Sequence, residues 1–315
     1  MKLSVTIVAH NSAAVLEACW RSVRSAMPSA EIIVVDNAST DDTKRLCEGL
    51  DGVTLIANAV NDGYGRACNQ GAAAANGSHV LFVNPDVQLS AVDLTALRAE
   101  TETAPFGLVA PILKHGTHAV PRWPVDLVRH VAGPLRPREL PTLPTLPPRG
   151  DRWWPAGALL LVDRQEFVGL GGFDRRFFLY YEDLDLTRRY RAAELPVRIT
   201  RSVRALHRRG RSSADSETGA AARQGWSYIS WIAYLDIWYG PDTAQHAAQY
   251  ARRLRSGLNR TLQLLERAGP IAHRAARKRL ELAEIEAFVR WQCSFGPGTA
   301  AEDFCLRARK ILGVR

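Results

Sequence analysis

Short apolar runs alternate with stretches of helical spacing through the first half of the chain. Leu3–Ala9, Glu31–Val35 and Val53–Ala57 are brief and rich in β-branched residues, the pattern of strands buried on both faces. Between the first two, Val15, Leu16, Cys19 and Val23 share one helical face behind Ser12, a good N-cap. Ser39-Thr-Asp-Asp42 opens a second helix, and Arg66–Asn76 forms a third. A fourth run, Val80-Leu-Phe-Val83, stops abruptly at Asn84-Pro85-Asp86. Pro85 has no donor for a sheet ladder, so the strand ends there and leaves Asp86 just past its carboxyl end. Strands and helices alternating at this pace predict an α/β fold with a parallel, doubly wound sheet.

Beyond a helix starting near Ser90, the pattern becomes less regular. A proline-dense stretch from Gly133 to Gly150 is neither helix nor central strand and reads as an extended loop, either a lid or a connector. Trp153–Val162 returns the chain to the sheet. Arg164–Leu170 is a short helix ended by Gly171-Gly172, and another helix follows Phe173–Leu186 and runs to about Glu194. Pro196–Thr200 and Val203–His207 read as two strands, and 210–217 as a polar loop. From Thr218 the spacing is helical, with Trp226, Ile229, Ala233 and Ile237 recurring on one face. Further helices are expected over 243–267, 271–291 and 300–312, with Gly-Pro or Pro-Gly breaks between them. The chain thus divides into an α/β part, 1–215, and a C-terminal helical appendage, 216–315.

Composition narrows this picture. The 315 residues accommodate one large domain with a smaller addition. No apolar run reaches the ~18 residues of a membrane span, and the N-terminus enters a strand pattern without a signal-peptide core. The five cysteines (19, 47, 68, 293 and 305) form no CxxC and read as reduced, buried thiols. Together these predict a cytoplasmic protein.

The net charge of +9 is uneven. Residues 240–315 hold fourteen Lys and Arg against seven Asp and Glu, leaving the preceding 239 almost neutral. Such a tail meets an anionic surface, or else consists of solvated helix faces. A dinucleotide-binding Gly-x-Gly-x-x-Gly and a P-loop are both missing, which weakens two classes of nucleotide enzyme.

Three polar features follow predicted strands: Asp36, the loop Asn61-Asp-Gly-Tyr-Gly-Arg66, and Asp86. In a parallel sheet these share the edge where ligands bind. Each alone is equally at home as a turn or a helix cap.

Their order and spacing supply the specificity. The chain resembles the inverting family 2 glycosyltransferases of GT-A fold, in the rhamnosyltransferase-like branch. The resemblance rests on Val5-Thr-Ile-Val-Ala-His-Asn11, Val34-Val-Asp-Asn-Ala-Ser-Thr-Asp41 and Asn61-Asp-Gly-Tyr-Gly-Arg-Ala-Cys-Asn-Gln-Gly71. It continues through Phe82-Val-Asn-Pro-Asp-Val87, Gly157-Ala, Gly171-Gly-Phe-Asp174, Phe177–Leu186 and His207, covering about residues 3–213.

It implies a mostly parallel sheet flanked by helices, with a nucleotide-sugar half near 1–115 and an acceptor half near 116–215. It also implies a donor site at Val8, Asn11, Asp36, Asp62, Arg66, Asn84 and Asp86 for a nucleotide diphosphosugar of dTDP or UDP type. Asp36 would accept from the base N3–H, and Arg66 would reach the base or the phosphates. Asp86 and His207 would hold Mg²⁺ or Mn²⁺, hard ions that favour oxygen donors. Asn84 departs from the acidic D-x-D pattern and removes one charge from that site. Asp183 would be the acceptor base, with Glu182 and Asp185 orienting the acceptor or neighbouring groups and Phe177, Phe178, Tyr180 and Tyr181 forming an aromatic wall for sugar.

The implied reaction is transfer of a deoxyhexose, best L-rhamnose from dTDP-rhamnose, to a lipid-linked saccharide in envelope polysaccharide assembly. The enzyme would lie peripherally on the inner face of the cell membrane, with a homodimer as one assembly open to it and nucleic acid not expected as a partner. A soluble secondary-metabolite acceptor and a degenerate GT-A binding protein are the competing readings. A nucleotidyltransferase ranks lower, because its Gly-rich first loop is missing.

Overall fold

The computed structural model describes residues 3–100, 102, 106–114, 155–207 and 217–266, with Arg279 and Ala283 besides. The proline-dense stretch, the 210–216 loop, Cys293, Cys305 and, apart from those two positions, the last two expected helices lie outside the described residues. Within residues 1–119 and 154–215, one compact unit carries every described strand.

Its elements run β1 (Leu3–Ala9), α1 (Ala13–Ala26), β2 (Glu31–Asp36), α2 (Thr43–Glu48), β3 (Val53–Ala57), α3 (Tyr64–Ala74) and β4 (His79–Val83). Then come β5 (Val87–Gln88), α4 (Ala91–Glu100), β6 (Leu108–Lys114), β7 (Leu159–Asp163), α5 (Arg164–Gly169), α6 (Glu182–Ala192) and β8 (Val197–His207). The other unit contributes α7 (Glu217–Tyr239) and α8 (Pro241–Glu266), separated at Gly240-Pro241.

The eight strands form one sheet in the order β3-β2-β1-β4-β7-β6-β8-β5. The first four are mutually parallel, β7 runs against both β4 and β6, β8 is parallel to β6, and β5 runs against β8. Six strands therefore point one way and two the other. Both faces are covered, which is why the strands read as continuous apolar runs rather than alternating ones. Val5, Ile7, Ile32, Val34, Leu81 and Leu161 pack on one side with Leu16, Cys19 and Val23 of α1. Val8, Ile33, Val35, Phe82, Leu160 and Val162 pack on the other with Ala67, Cys68 and Ala72 of α3. There Phe82, Phe167 and Phe173 meet with ring centroids 5.1–5.5 Å apart.

Several local expectations are corrected. Ser12 occupies the N-cap position of α1 without capping it; its hydroxyl donates to the His10 carbonyl. Asp41 does that work, accepting from the Ala13 and Thr43 N–H groups at the starts of two helices. That delays α2 to Thr43, and Ser39 instead accepts from the Asn11 N–H. The two strands expected at 196–207 are one, β8, with a register break opposite Pro111/Ile112 of β6. Pro111 cannot donate to the ladder, so the irregularity falls at this residue.

Candidate active site

The directions of the strands concentrate polar residues along one edge. Asp36 ends β2, Asp62 follows β3, and Asn84 and Asp86 follow β4, all at carboxyl ends. His207 ends β8, which runs the same way, while the antiparallel β7 begins at this edge, just after Gly157-Ala158. Open α/β sheets bind ligands along such an edge.

Asp86 and His207 meet because Val87 pairs with His207 across β5 and β8. Asp86 is buried, with its Oδ1 3.2 Å from His207 Nε2 but not aligned for a hydrogen bond. The buried Asn84 Oδ1 and His207 Nδ1 atoms also lack a hydrogen-bond partner. Buried polar atoms left in this state usually answer to a ligand, ion or water. Among the described residues no group of three or more His, Cys, Asp and Glu is arranged to hold a metal. A carboxylate and an imidazole are nevertheless a sufficient protein share for Mg²⁺ or Mn²⁺, which retain waters and take substrate phosphate oxygens.

Asp36 is buried with Oδ1 lacking a hydrogen-bond partner. Its neighbour Asn37 organises the surrounding loop. The Asn37 amide nitrogen donates to Asn61 Oδ1 (2.8 Å) and the Gly63 carbonyl (3.2 Å), and its oxygen accepts from Asn58 Nδ2 and the Asp62 N–H. Asn58 in turn exchanges hydrogen bonds with Gln70. Only the density of Asn in this segment signalled this ladder from sequence. Val8 packs into the core at the end of β1, and Asn11, held at φ 50°, accepts from the Thr40 N–H. Arg66 donates Nε to the Arg175 carbonyl (3.2 Å), so one edge of its guanidinium is engaged within the protein.

The acidic segment at the start of α6 is stapled from both sides. Asp183 Oδ2 accepts from the Gly157 N–H and Oδ1 from the Leu184 N–H, each at 2.8 Å. The next carbonyl along, Ala158 O, accepts from the Asn84 N–H (2.9 Å), so consecutive residues tie both acidic centres to one edge. Tyr180 and Tyr181 precede α6 with φ 71° and 67°. Two successive left-handed non-glycine residues cost about 1–2 kcal/mol each, and such strain persists where surroundings over-determine it, commonly at active sites.

Burial pushes Asp183 up to about 6, against the lowering effect of its two backbone donors. Glu182 is driven well above its ordinary value by burial and then by the charges of Asp183 and Asp185. The edge therefore sets two adjacent carboxyl groups apart, with Glu182 driven up by burial and by its acidic neighbours and Asp183 supported by two backbone donors.

Asp185 is ion-paired with Arg189 (2.8 Å). One expectation changes here. Phe177 is fully buried, so it belongs to the core rather than to an exposed wall.

Residues 4–166, over half the chain, match the family model for glycosyl transferase family 2. The N-acetylglucosaminyl-diphospho-decaprenol L-rhamnosyltransferase of Mycobacterium tuberculosis is 31% identical over 228 residues, 63% of this chain and 73% of that protein. The rhamnosyltransferase WbbL of Escherichia coli is 25% identical over 218 residues, 64% of this chain and 82% of that one. Among solved structures, mannosyltransferase PcManGT from Pyrobaculum calidifontis in complex with GDP-Man and Mn²⁺ superposes with TM-score 0.51. The two are 19% identical, over 92% of this chain and 87% of that one, a likeness of fold. With the strand order and the order of its motifs, these similarities make the chain a member of the family 2 glycosyltransferases of GT-A fold, on the rhamnosyltransferase-like branch.

Proposed function

We propose that this enzyme transfers L-rhamnose, with inversion, from a thymidine diphosphate donor to a hydroxyl of a lipid-linked saccharide. The observation that carries the reading is the placement of Asp86 and Asp183 on one sheet edge, tied through Ala158 and Gly157. The M. tuberculosis relative, named for a rhamnosyl transfer to N-acetylglucosaminyl-diphospho-decaprenol, supports the choice of donor sugar and acceptor class.

In this reading Asp36 accepts from N3–H of the thymine or uracil base. Asp62 and Arg66 flank the bound nucleotide, with Val8 and Asn11 shaping the floor of its site. Asp86 and His207 would hold Mg²⁺ or Mn²⁺, with Asn84 offering a neutral oxygen, and a cation bound there would supply the positive charge that a departing diphosphate needs. Asp183 takes the proton of the acceptor hydroxyl as its oxygen bonds to the anomeric carbon and the bond to diphosphate breaks on the opposite face. With its carboxyl near 6, Asp183 is ionised and correctly poised at neutral pH. Burial and the neighbouring acids push Glu182 upward, which disfavours a second negative charge beside Asp183. The catalytic domain is residues 1–215. The basic residues of the 216–315 appendage hold the enzyme against anionic lipid at the inner membrane face.

The test is transfer from dTDP-L-rhamnose to an N-acetylglucosaminyl-diphospho-polyprenol in Mg²⁺ or Mn²⁺. Asp86→Ala should abolish metal-dependent donor binding. Asp183→Asn should keep donor binding close to wild type while turnover falls by roughly 10²–10⁴-fold. Full activity in excess chelator overturns the metal role, and an Asp183→Asn enzyme within a few-fold of wild type excludes Asp183 as base. Turnover with a uridine or guanosine diphosphohexose but none with dTDP-L-rhamnose overturns the donor assignment.

A further inference from the structure

Tyr64 contacts substrate in none of the roles assigned above, yet it joins the segments on either side of Asp183. Its hydroxyl donates to the Gly157 carbonyl at 2.6 Å, and its backbone N–H donates to the Phe178 carbonyl at 2.8 Å. Gly157 lies in the segment whose N–H reaches Asp183 Oδ2. Phe178 lies in the segment that turns through Tyr180 and Tyr181 into Glu182 and Asp183.

The approach at Tyr64 is close on both sides. The preceding Gly63 (φ 85°) lies so near Phe178 that a Cβ there would come within 2.4 Å of its carbonyl oxygen. A Cβ at Gly157 would sit 3.6 Å from the Tyr64 ring and 3.4 Å from Asp183 Cβ. The Tyr64 ring itself leans on Phe173 at 6.2 Å. Burial holds the phenol well above its ordinary value, so it remains a hydroxyl donor across the working pH range.

We propose that Tyr64 is a positioning residue for the acceptor base: it fixes Gly157 so that the Gly157 N–H stays on the Asp183 carboxylate. A hydroxyl–carbonyl bond to one side of Gly157 restrains the rotation that would withdraw the N–H on its other side. The N–H bond favours the ionised carboxylate and leaves the second lone pair of Oδ2 in a defined direction. This inference rests on the assignment of Asp183 as base, and its test separates the two.

Tyr64→Phe removes one oxygen and keeps the ring. The measurements are the pH profile of kcat/KM and a double-mutant cycle with Asp183→Asn. In Tyr64→Phe, donor binding is expected to be unchanged and kcat to fall about 5–20-fold. The acidic limb should move to higher pH by about half a unit or more, because the ionised carboxylate loses support. On the Asp183→Asn background the same change should have little further effect on turnover, since both act through one group. An unmoved limb, or an equal loss on both backgrounds, overturns the positioning role and leaves Tyr64 as packing. If Asp183→Asn itself retains the wild-type limb, the base assignment fails and this inference falls with it. Should Tyr64→Phe fold poorly, Tyr64→Met removes the hydroxyl with a side chain that adapts to its packing, and an unmoved limb there also overturns the link.

Discussion

Glu182 and Asp183 are adjacent, acidic and at the first turn of one helix, yet their surroundings separate their chemistry. Two backbone N–H donors hold Asp183 as an anion, whereas Glu182 is buried with its Oε2 lacking a hydrogen-bond partner. That difference carries a stability prediction. The folded-state pKa of Glu182 is raised above its ordinary carboxylate value, so the native state binds its proton more tightly than the unfolded state does. Its contribution is fully present below about pH 4.5 and is lost as pH rises toward the folded value. Glu182→Gln does not titrate, so its melting temperature should gain on wild type as pH rises from 4.5 to 8, by about 2 °C or more. Thermal melts across that range check this, and a constant difference would place Glu182 in an ordinary solvated setting. The roles of Asp183, Asp86 and His207 were suggested by motif alone. What the motif could not supply was the partner of each: the Gly157 N–H for Asp183, and for Asp86 an imidazole that arrives over a hundred residues later.

At the scale of elements, the loop Asn61–Arg66 and the helix after it serve as a buttress as much as a binding loop. Asn37 anchors the loop, Tyr64 grips Phe178, and Asn69 exchanges two 2.8 Å hydrogen bonds with the Phe173 backbone. Helix α3 can do this because it lies close against β1. At Gly71 a Cβ would come within 2.2 Å of Thr6 Cγ2 and 2.8 Å of Thr6 Oγ1. Gly71→Ala must therefore lift α3 from the sheet, at a cost of about 3 kcal/mol. The expected outcome is a melting temperature lower by roughly 5–10 °C with activity reduced as well. An unaltered melt would mean that the helix and strand separate freely. The glycines in this motif were visible in the sequence as a turn. That Gly71 serves close packing, and Gly63 the approach of Phe178, depends on contacts with residues far away along the chain.

For the molecule as a whole, the distribution of charge matters more than its total. No described helix is long and apolar enough to cross a membrane. In α8, however, Arg252, Arg253 and Arg260 are exposed. Basic residues close to an anionic bilayer contribute ~1 kcal/mol each. Reversing these three to Glu should reduce co-sedimentation with phosphatidylserine or phosphatidylglycerol vesicles, and added salt should do the same to wild type. Binding that ignores both salt and charge reversal would assign these arginines to solvated surface. Catalysis on a water-soluble acceptor fragment should be unaffected, because the substitutions lie outside the unit that holds the proposed site.

The sequence alone determined the alternation of strands and helices, the place where β4 must stop, and the order of the motifs that mark the family. These are local properties: β-branched apolar runs, a proline without an N–H, and turn residues recur within a few positions of the structure they dictate. Tertiary structure decided what depends on pairing across distance. It merged two expected strands into β8 around Pro111 and brought His207 to Asp86 through the short β5 ladder. It also reversed β7, so that Gly157 begins on the ligand edge. Asp41 displaced Ser12 as the cap of α1 because a loop nearly thirty residues away supplied the acceptor. The state of each carboxylate was settled last, since burial and the number of N–H donors around it exist only once the chain has closed over them.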